Sequence, residues 1–323
     1  MTSALRSSLS SRDAVAPLCL VASGIAFGLM APGFLDLGNG TNLLGQMAPL
    51  AIVALGQMVV IVTGGFDVSV GAVAALSAVT GALLANAIGP VGLIAAPLVG
   101  LALGLVNGVV VGRLRVPPII ATLGMLSVAR GLALLVSHGE AVVLRDGNPL
   151  SWLGYGLTAG VPNALLLTLV ILAGLTFLMA RVRLGRRFYM LGSDREAAQL
   201  VGVGVRRTEA AAYAIAGLAA GIAALVFVGR AGAGLPTEGD GLELAANAAA
   251  VIGGTALTGG IGRPLFVVLG ALFVQSLSNG LNLAGTEPFV REVILGAVIV
   301  MAGLVDWLIR RAAASQHLRG EVA

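Results

Sequence analysis

The chain has 323 residues, of which 58% are apolar and only 11% are Asp, Glu, Lys or Arg, against roughly 25% charged in an ordinary soluble domain; a water-soluble fold is excluded on composition. The formal charge of +4 comes from 19 basic residues, every one of them Arg, and aromatics make up only 4%, so the basic stripe with interleaved stacking aromatics that nucleic-acid binding needs is missing. Cys19 stands alone, which leaves neither an internal disulfide nor a cysteine metal site.

A membrane-crossing helix needs about 20 mostly apolar residues, and the apolar stretches predict an all-α, polytopic membrane protein of about ten such helices. The predicted spans are 14–34, 42–62, 68–87, 91–112, 117–137, 162–181, 210–229, 243–258, 264–283 and 289–309. The first follows Arg6 and Arg12 in the manner of a signal peptide, but Phe27 to Pro32 is no small-residue cleavage site, and the segment is read as a helix. The eighth is short and Gly-rich, the pattern of a broken or re-entrant segment. Trp307, with Arg310 and Arg311, is placed to anchor the last helix at the interface.

Arg-rich loops stay on the cytoplasmic side. With both termini inside, Arg6, 12, 113, 115, 181, 183, 186, 187, 195, 206, 207, 263, 310, 311 and 319 all fall on cytoplasmic ends or loops, leaving only Arg130, Arg145, Arg230 and Arg291 elsewhere. The cytoplasmic loop 181–209 is too long for a minimal turn. The outer loops are 138–161, with Trp152 and Tyr155 as interface anchors, and 231–242, with Glu238 and Asp240. The sequence also echoes itself: Asn107-Gly108 and Leu123-Gly124 recur 172 residues later as Asn279-Gly280 and Leu295-Gly296. The predicted topology sets the two copies in opposite orientations, as in an inverted repeat.

No enzyme signature is present. A Walker phosphate loop is impossible without Lys, no His-Glu-x-x-His occurs, and the only histidines, His138 and His317, lie far apart. Catalytic and metal-ligating residues are therefore both expected to be none. Residues 192–205 read as a short helix opened by Ser193 or Asp194 as N-cap and closed by Gly202. It is either a coupling helix that docks into a cytoplasmic partner or a solvated amphipathic loop helix. Asp67, with Ser69 nearby, is placed to cap the third helix or to gate the inner mouth. Arg130, well inside the fifth span, either snorkels outward or contacts an external protein.

Several stretches carry a resemblance: Val60 to Gly71, Pro118 to Met125, Arg186 to Val205, Val251 to Gly260, and Asn279 to Leu283. Together and in this order they resemble the permeases of ribose-type sugar importers of the ATP-binding-cassette class, within the branched-chain amino acid/sugar permease superfamily. The resemblance implies a paired permease, homodimer or heterodimer, in the bacterial inner membrane. It also implies cytoplasmic ATPase subunits that carry the ATP and Mg, an external solute-binding protein received by the outer loops, and no cofactor on this chain. It further implies that Ser193, Asp194, Glu196, Ala197, Ala198, Leu200 and Gly202 form the ATPase-coupling segment. The chain departs from the family at Val201, where Ser is usual, and at Ala245, where Asp often follows the Glu-Leu pair.

Buried polar groups persist in lipid mostly where they face a pathway or one another. Gln275, Asn279 and Asn282 fall at i, i+4 and i+7 on one face of the ninth span. With Gln57 and Asn107 they are candidate lining for a sugar pathway, since an amide offers a hydroxyl both a donor and an acceptor. Interhelical hydrogen bonding is the other reading of the same amides. The expected cargo is ribose or a similar pentose or hexose, with nucleosides, a furanose signalling molecule and branched-chain amino acids as alternatives. An ion-coupled secondary transporter is the rival from another class, and it would need acidic residues at the midplane.

Overall fold

A computed structural model describes residues 14–304 apart from 146, 288, 292, 299, 302 and 303. The expectations for Arg6, Arg12, Trp307, Arg310, Arg311, His317 and Arg319 therefore fall outside the described residues. The chain is helical because backbone polar groups surrounded by lipid are satisfied only within a helix or a closed barrel.

In chain order the helices are α1 (Val15–Met30), α2 (Leu37–Val62), α3 (Val70–Ile88), α4 (Ala95–Gly112, entered through a 3-10 turn at Pro90–Ile94) and α5 (Pro118–Ser137). Then come α6 (Ser151–Gly154), α7 (Asn163–Arg181), α8 (Arg183–Ser193), α9 (Arg195–Leu200), α10 (Val205–Ala231), α11 (Leu242–Ile252) and α12 (Pro264–Leu283). Among the described residues seven helices are long and apolar enough to cross a membrane: α2, α3, α4 with its 3-10 turn, α5, α7, α10 and α12. Helices α1 and α11 are apolar but shorter, and residues 289–291 and 293–298 of the expected tenth span are helical. The span expected at 210–229 is a 27-residue helix that starts at Val205. Hydropathy falls at Arg206, Arg207 and Glu209, but the helix does not.

Helix α10 is the axis of the molecule, packed along α4, α2 and α3. Its approach to α4 is backbone on backbone. A Cβ added to Gly217 would run into the carbonyl oxygen of Gly100, and one added to Gly104 would run into the carbonyl oxygen of Tyr213. Helix α2 is buried throughout from Met47 to Val62, whereas α5 and α7 keep most of their surface outward.

Two connections fold back into the bundle. After α2 the chain turns at Thr63 and Gly64, the Gly65 amide donates to the Val60 carbonyl at 3.0 Å, and Asp67 returns to the level of Gln57. After α10, a strand Ala233–Gly234 pairs with Val142–Val143. Residues 235–241 then descend along α3, with Gly234 against Ala78 and Gly239 against Gly71, a drop of about 10 Å for seven helical residues. Most of the loop expected at 231–242 thus folds back along α3 into the bundle. It turns inward because Gly71 has no side chain to keep Gly239 away: a Cβ there would meet the Gly239 carbonyl and the Glu243 carboxylate.

The helix expected at 243–258 stops at Ile252. Gly253 sits against the backbone of Phe266 and Val267, and the turns through Gly254 and Gly259 carry the chain to Gly260, whose amide donates to the Val62 carbonyl at 2.9 Å. The loop 138–161 holds the short α6 and one strand of a small hairpin in which Thr158 faces Val161. Trp152 and Tyr155 are exposed there, as interface anchors are.

Candidate functional site

Four of the sequence-selected residues meet in one buried cluster. The Gln57 side-chain amide donates to the Asp67 carbonyl at 2.6 Å. One carboxylate oxygen of Asp67 accepts from the amide and the hydroxyl of Ser69, each at 2.7 Å. Asn107 donates to the Ser69 hydroxyl at 2.9 Å and reaches the other Asp67 oxygen at 3.5 Å. All four are buried. Asp67 was expected to cap the third helix or to gate the inner mouth; Ser69 is the N-cap residue of α3, and Asp67, in the turn before it, accepts from the Ser69 amide. Sequence reasoning missed two members: Asn247, whose amide donates to Glu243 O at 2.8 Å and Asp67 O at 3.3 Å, and Tyr213, whose hydroxyl donates to Phe66 O at 3.3 Å.

On one side of this cluster lies a cavity of about 400 Å³ lined by Gln46, Gln275, Ser278, Glu238, Asp240 and Phe227, among others, within the usual range for small-molecule sites. On the arginine-rich side lies a wider one of about 1000 Å³, bounded by Arg195, Glu196, Gln199, Glu209 and Tyr213. The two share no lining residue. Gln57, Asp67, Ser69 and Asn107 line neither: they are part of the packed wall between them.

The three amides of α12 do not act together. Gln275 lines the smaller cavity and donates to the Gln46 side chain at 3.2 Å. Asn279 exchanges two 3.0 Å hydrogen bonds with Asn39, which is the interhelical packing use. Asn282 is exposed near the end of α12. One face carries all three, as the spacing predicts, but of the three Gln275 alone lines the cavity of about 400 Å³.

On the arginine-rich face, amphipathic α8 buries Gly185, Phe188 and Leu191. The Tyr189 hydroxyl donates to the Gly262 carbonyl at 2.6 Å, and burial pushes that phenol above its ordinary pKa. The cap of α9 is Asp194 alone, accepting from the amides of Glu196 and Ala197, each at 2.9 Å. Ser193 is the last residue of α8, and its hydroxyl turns back to Tyr189 O at 2.9 Å. Gly202 closes the helix with φ +82°, a left-handed conformation that suits glycine. Of this short helix only Ala198 is buried, while Leu200 is 89% and Val201 66% exposed. Arg195 ties it to α10 through a two-pronged ion pair with the buried Glu209, at 2.5 and 3.3 Å. Sequence reasoning missed that tie because the partners lie 14 residues apart, across a loop. Among the described residues there is no His, Cys, Asp or Glu group fit to hold a metal.

Comparison with known proteins gives a consistent picture. The chain is 36% identical to the ribose import permease protein of Escherichia coli strain K12 over 86% of this chain and 88% of that protein. It is 34% identical to the D-allose transport system permease protein of the same organism, over 88% of each. To the L-arabinose transport system permease protein of the same organism it is 34% identical, over 87% of this chain and 86% of that protein. No solved structure matches. The branched-chain amino acid transport system permease component family matches residues 39–303. With that match over most of its length and relatives 34–36% identical over most of both chains, the chain belongs to that family of membrane permeases.

Proposed function

We propose that the chain is the membrane-spanning subunit of an ATP-binding-cassette importer and carries a monosaccharide, ribose or a similar pentose or hexose, across the bacterial inner membrane. The observation that carries the reading is the cavity of about 400 Å³, whose lining includes Gln46, Gln275, Ser278, Glu238, Asp240 and Arg291 together with Phe227. Neutral amides and hydroxyls match sugar hydroxyls in both directions, carboxylates accept from them, and an apolar ring covers the carbon face of a sugar. The relatives named for ribose, allose and arabinose support the same cargo class.

In this reading the chain does no chemistry and holds no cofactor; ATP and Mg sit on partner ATPase subunits that grip α9. A solute-binding protein delivers sugar at the face of the Trp152–Tyr155 loop. A second permease chain completes the assembly, and both termini are cytoplasmic. The tenth crossing includes the helical residues 289–291 and 293–298. An inverted repeat is supported by the element pattern: a shift of 172 carries Val70 onto 242, where α11 begins, and carries α2 and α4 to within a few residues of α10 and α12.

The cavity assignment separates two amides on one helix. Gln275→Leu removes polar contacts at about 1 kcal/mol each and is expected to raise the KM for sugar uptake about tenfold while the protein assembles normally. Asn279→Leu, which strands Asn39, is expected to lower the amount of folded protein and leave KM close to that of the parent. Uptake measured over a panel of pentoses, hexoses, nucleosides and branched-chain amino acids, with membrane yield in parallel, checks both. Equal effects of the two variants on both readouts would reject the assignment.

A further inference from the structure

Arg130 is the charged residue that the topology places deepest in a crossing helix, 12 residues along the 20-residue α5, about 18 Å from its start. It neither snorkels out nor stands free. Its guanidinium donates to the Pro236 carbonyl at 2.5 Å and to the Glu238 carbonyl at 3.3 Å, and it forms an ion pair with Asp240. Three partners within five residues all belong to the folded-back segment 235–241.

That segment has little to hold it by itself. Its own hydrogen bonds are turn bonds, Glu238 N to Leu235 O at 3.2 Å, Asp240 N to Thr237 O at 3.3 Å and Leu242 N to Gly239 O at 3.1 Å, and Gly239 and Gly241 have positive φ of 75° and 77°. None of these bonds uses the carbonyls of Pro236 and Glu238, which Arg130 takes. The segment also divides two compartments. Glu238, Gly239, Asp240 and Gly241 line the smaller cavity, while Gly239 rests on Gly71 at the start of α3, and Asn247 just beyond bonds the Asp67 turn.

We propose that Arg130 is a positioning residue: its guanidinium holds residues 235–241 in place as the floor of the smaller cavity, fixing Glu238 and Asp240 toward the cargo and closing the cavity off from the buried Asp67 cluster. The proposal goes beyond the transport reading and rests on it only for the identity of the cargo. The carbonyl bonds matter more than the ion pair. The Arg130 side chain is 19% exposed but that of Asp240 is 65% exposed, so solvent screens the pair, whereas one guanidinium nitrogen, Nη1, donates to both carbonyls while Nη2 holds Asp240, a division between two nitrogens that a single Lys ammonium cannot reproduce.

The test reads the barrier itself. In a Cys19→Ser background of the full-length chain in right-side-out vesicles, Ala246→Cys places a thiol on α11 at a fully buried position five residues past the segment. A membrane-impermeant maleimide should label it slowly. Arg130→Gln should raise the labelling rate about tenfold, the order expected for a lost charge-assisted hydrogen bond. Arg130→Lys should raise it less, and Asp240→Asn least. For sugar uptake, Arg130→Gln should raise KM more than it lowers the maximal rate, with Arg130→Lys partly restored. A labelling rate unchanged in both Arg130→Gln and Arg130→Lys would overturn the proposal, as would an Asp240→Asn effect equal to that of Arg130→Gln. If Arg130→Gln fails to assemble, Arg130→Lys alone decides: faster labelling supports the barrier role and an unchanged rate refutes it. Because labelling needs no cargo, the barrier result stands whether or not the cargo is a sugar.

Discussion

Gly217→Val is expected to lower the melting temperature of the purified protein by roughly 6–12 °C and to cut its membrane yield. On α10, Gly217 faces Gly100 and Gly104 of α4, and an added Cβ would meet the Gly100 carbonyl and the Gly104 backbone. Neither obstacle is a flexible side chain that can swing aside, so the two helices must part. Parting them removes close van der Waals packing from the longest interface in the bundle, and in lipid such packing is a main source of helix association. Overpacking ordinarily costs about 1–3 kcal/mol and more where backbone must move; a cost of about 3 kcal/mol at roughly 2–4 °C per kcal/mol gives the range above. Gly124→Val on α5 is the control, because a Cβ there meets nothing within 4 Å. Equal melting temperatures for the two variants would show that the α4–α10 contact is looser than described.

Leu200→Asp is expected to abolish ATP-driven uptake and to release the ATPase subunits during purification, while the melting temperature of the permease itself stays the same. The side chain is 89% exposed, so a charge there loses no internal packing. The same exposure would cost nothing in a merely solvated helix, which is why this substitution separates the two readings of α9. If the exposed Leu200 and Val201 are the apolar anchor received by a partner, truncating or charging the anchor costs at least about 2 kcal/mol of binding, a loss of roughly thirtyfold in affinity. Ala198→Asp should instead damage the permease, since Ala198 is the buried residue of that helix. Uptake and co-purification both unaltered by Leu200→Asp would return α9 to the status of a surface loop.

Much of the architecture was legible because lipid imposes a simple rule: long apolar runs become helices, and the runs ending at Val62, Gly112, Ser137, Arg181 and Leu283 end within a residue of their predicted limits. The short helix with Asp194 as cap and Gly202 as stop was legible for the same local reason, since cap chemistry is written in adjacent residues. Depth was not legible. Hydropathy orders segments along the chain but is blind to a connection that folds back, so it shows neither the contacts of Asp67 within the bundle nor the run of residues 235–241 along α3. Both features have one physical origin: Gly64, Gly65, Gly71 and Gly239 permit backbone to enter a space that side chains would otherwise fill. The stripe of Gln275, Asn279 and Asn282 was correctly placed on one face, but the division of labour within it depends on Asn39 and Gln46 of α2, more than 200 residues away in sequence. Arg130 carried a visible signal, a cation deep in an apolar helix, yet its partners at Pro236, Glu238 and Asp240 could be found only from the fold.

The transport reading makes the chain a route whose movement is driven by a separate motor. Purified permease placed alone in sealed vesicles, with an imposed proton or sodium gradient and labelled ribose outside, should show no accumulation; adding the ATPase subunits, the solute-binding protein and ATP should produce it. Gradient-driven accumulation by the permease alone would contradict the reading and place the protein among ion-coupled carriers.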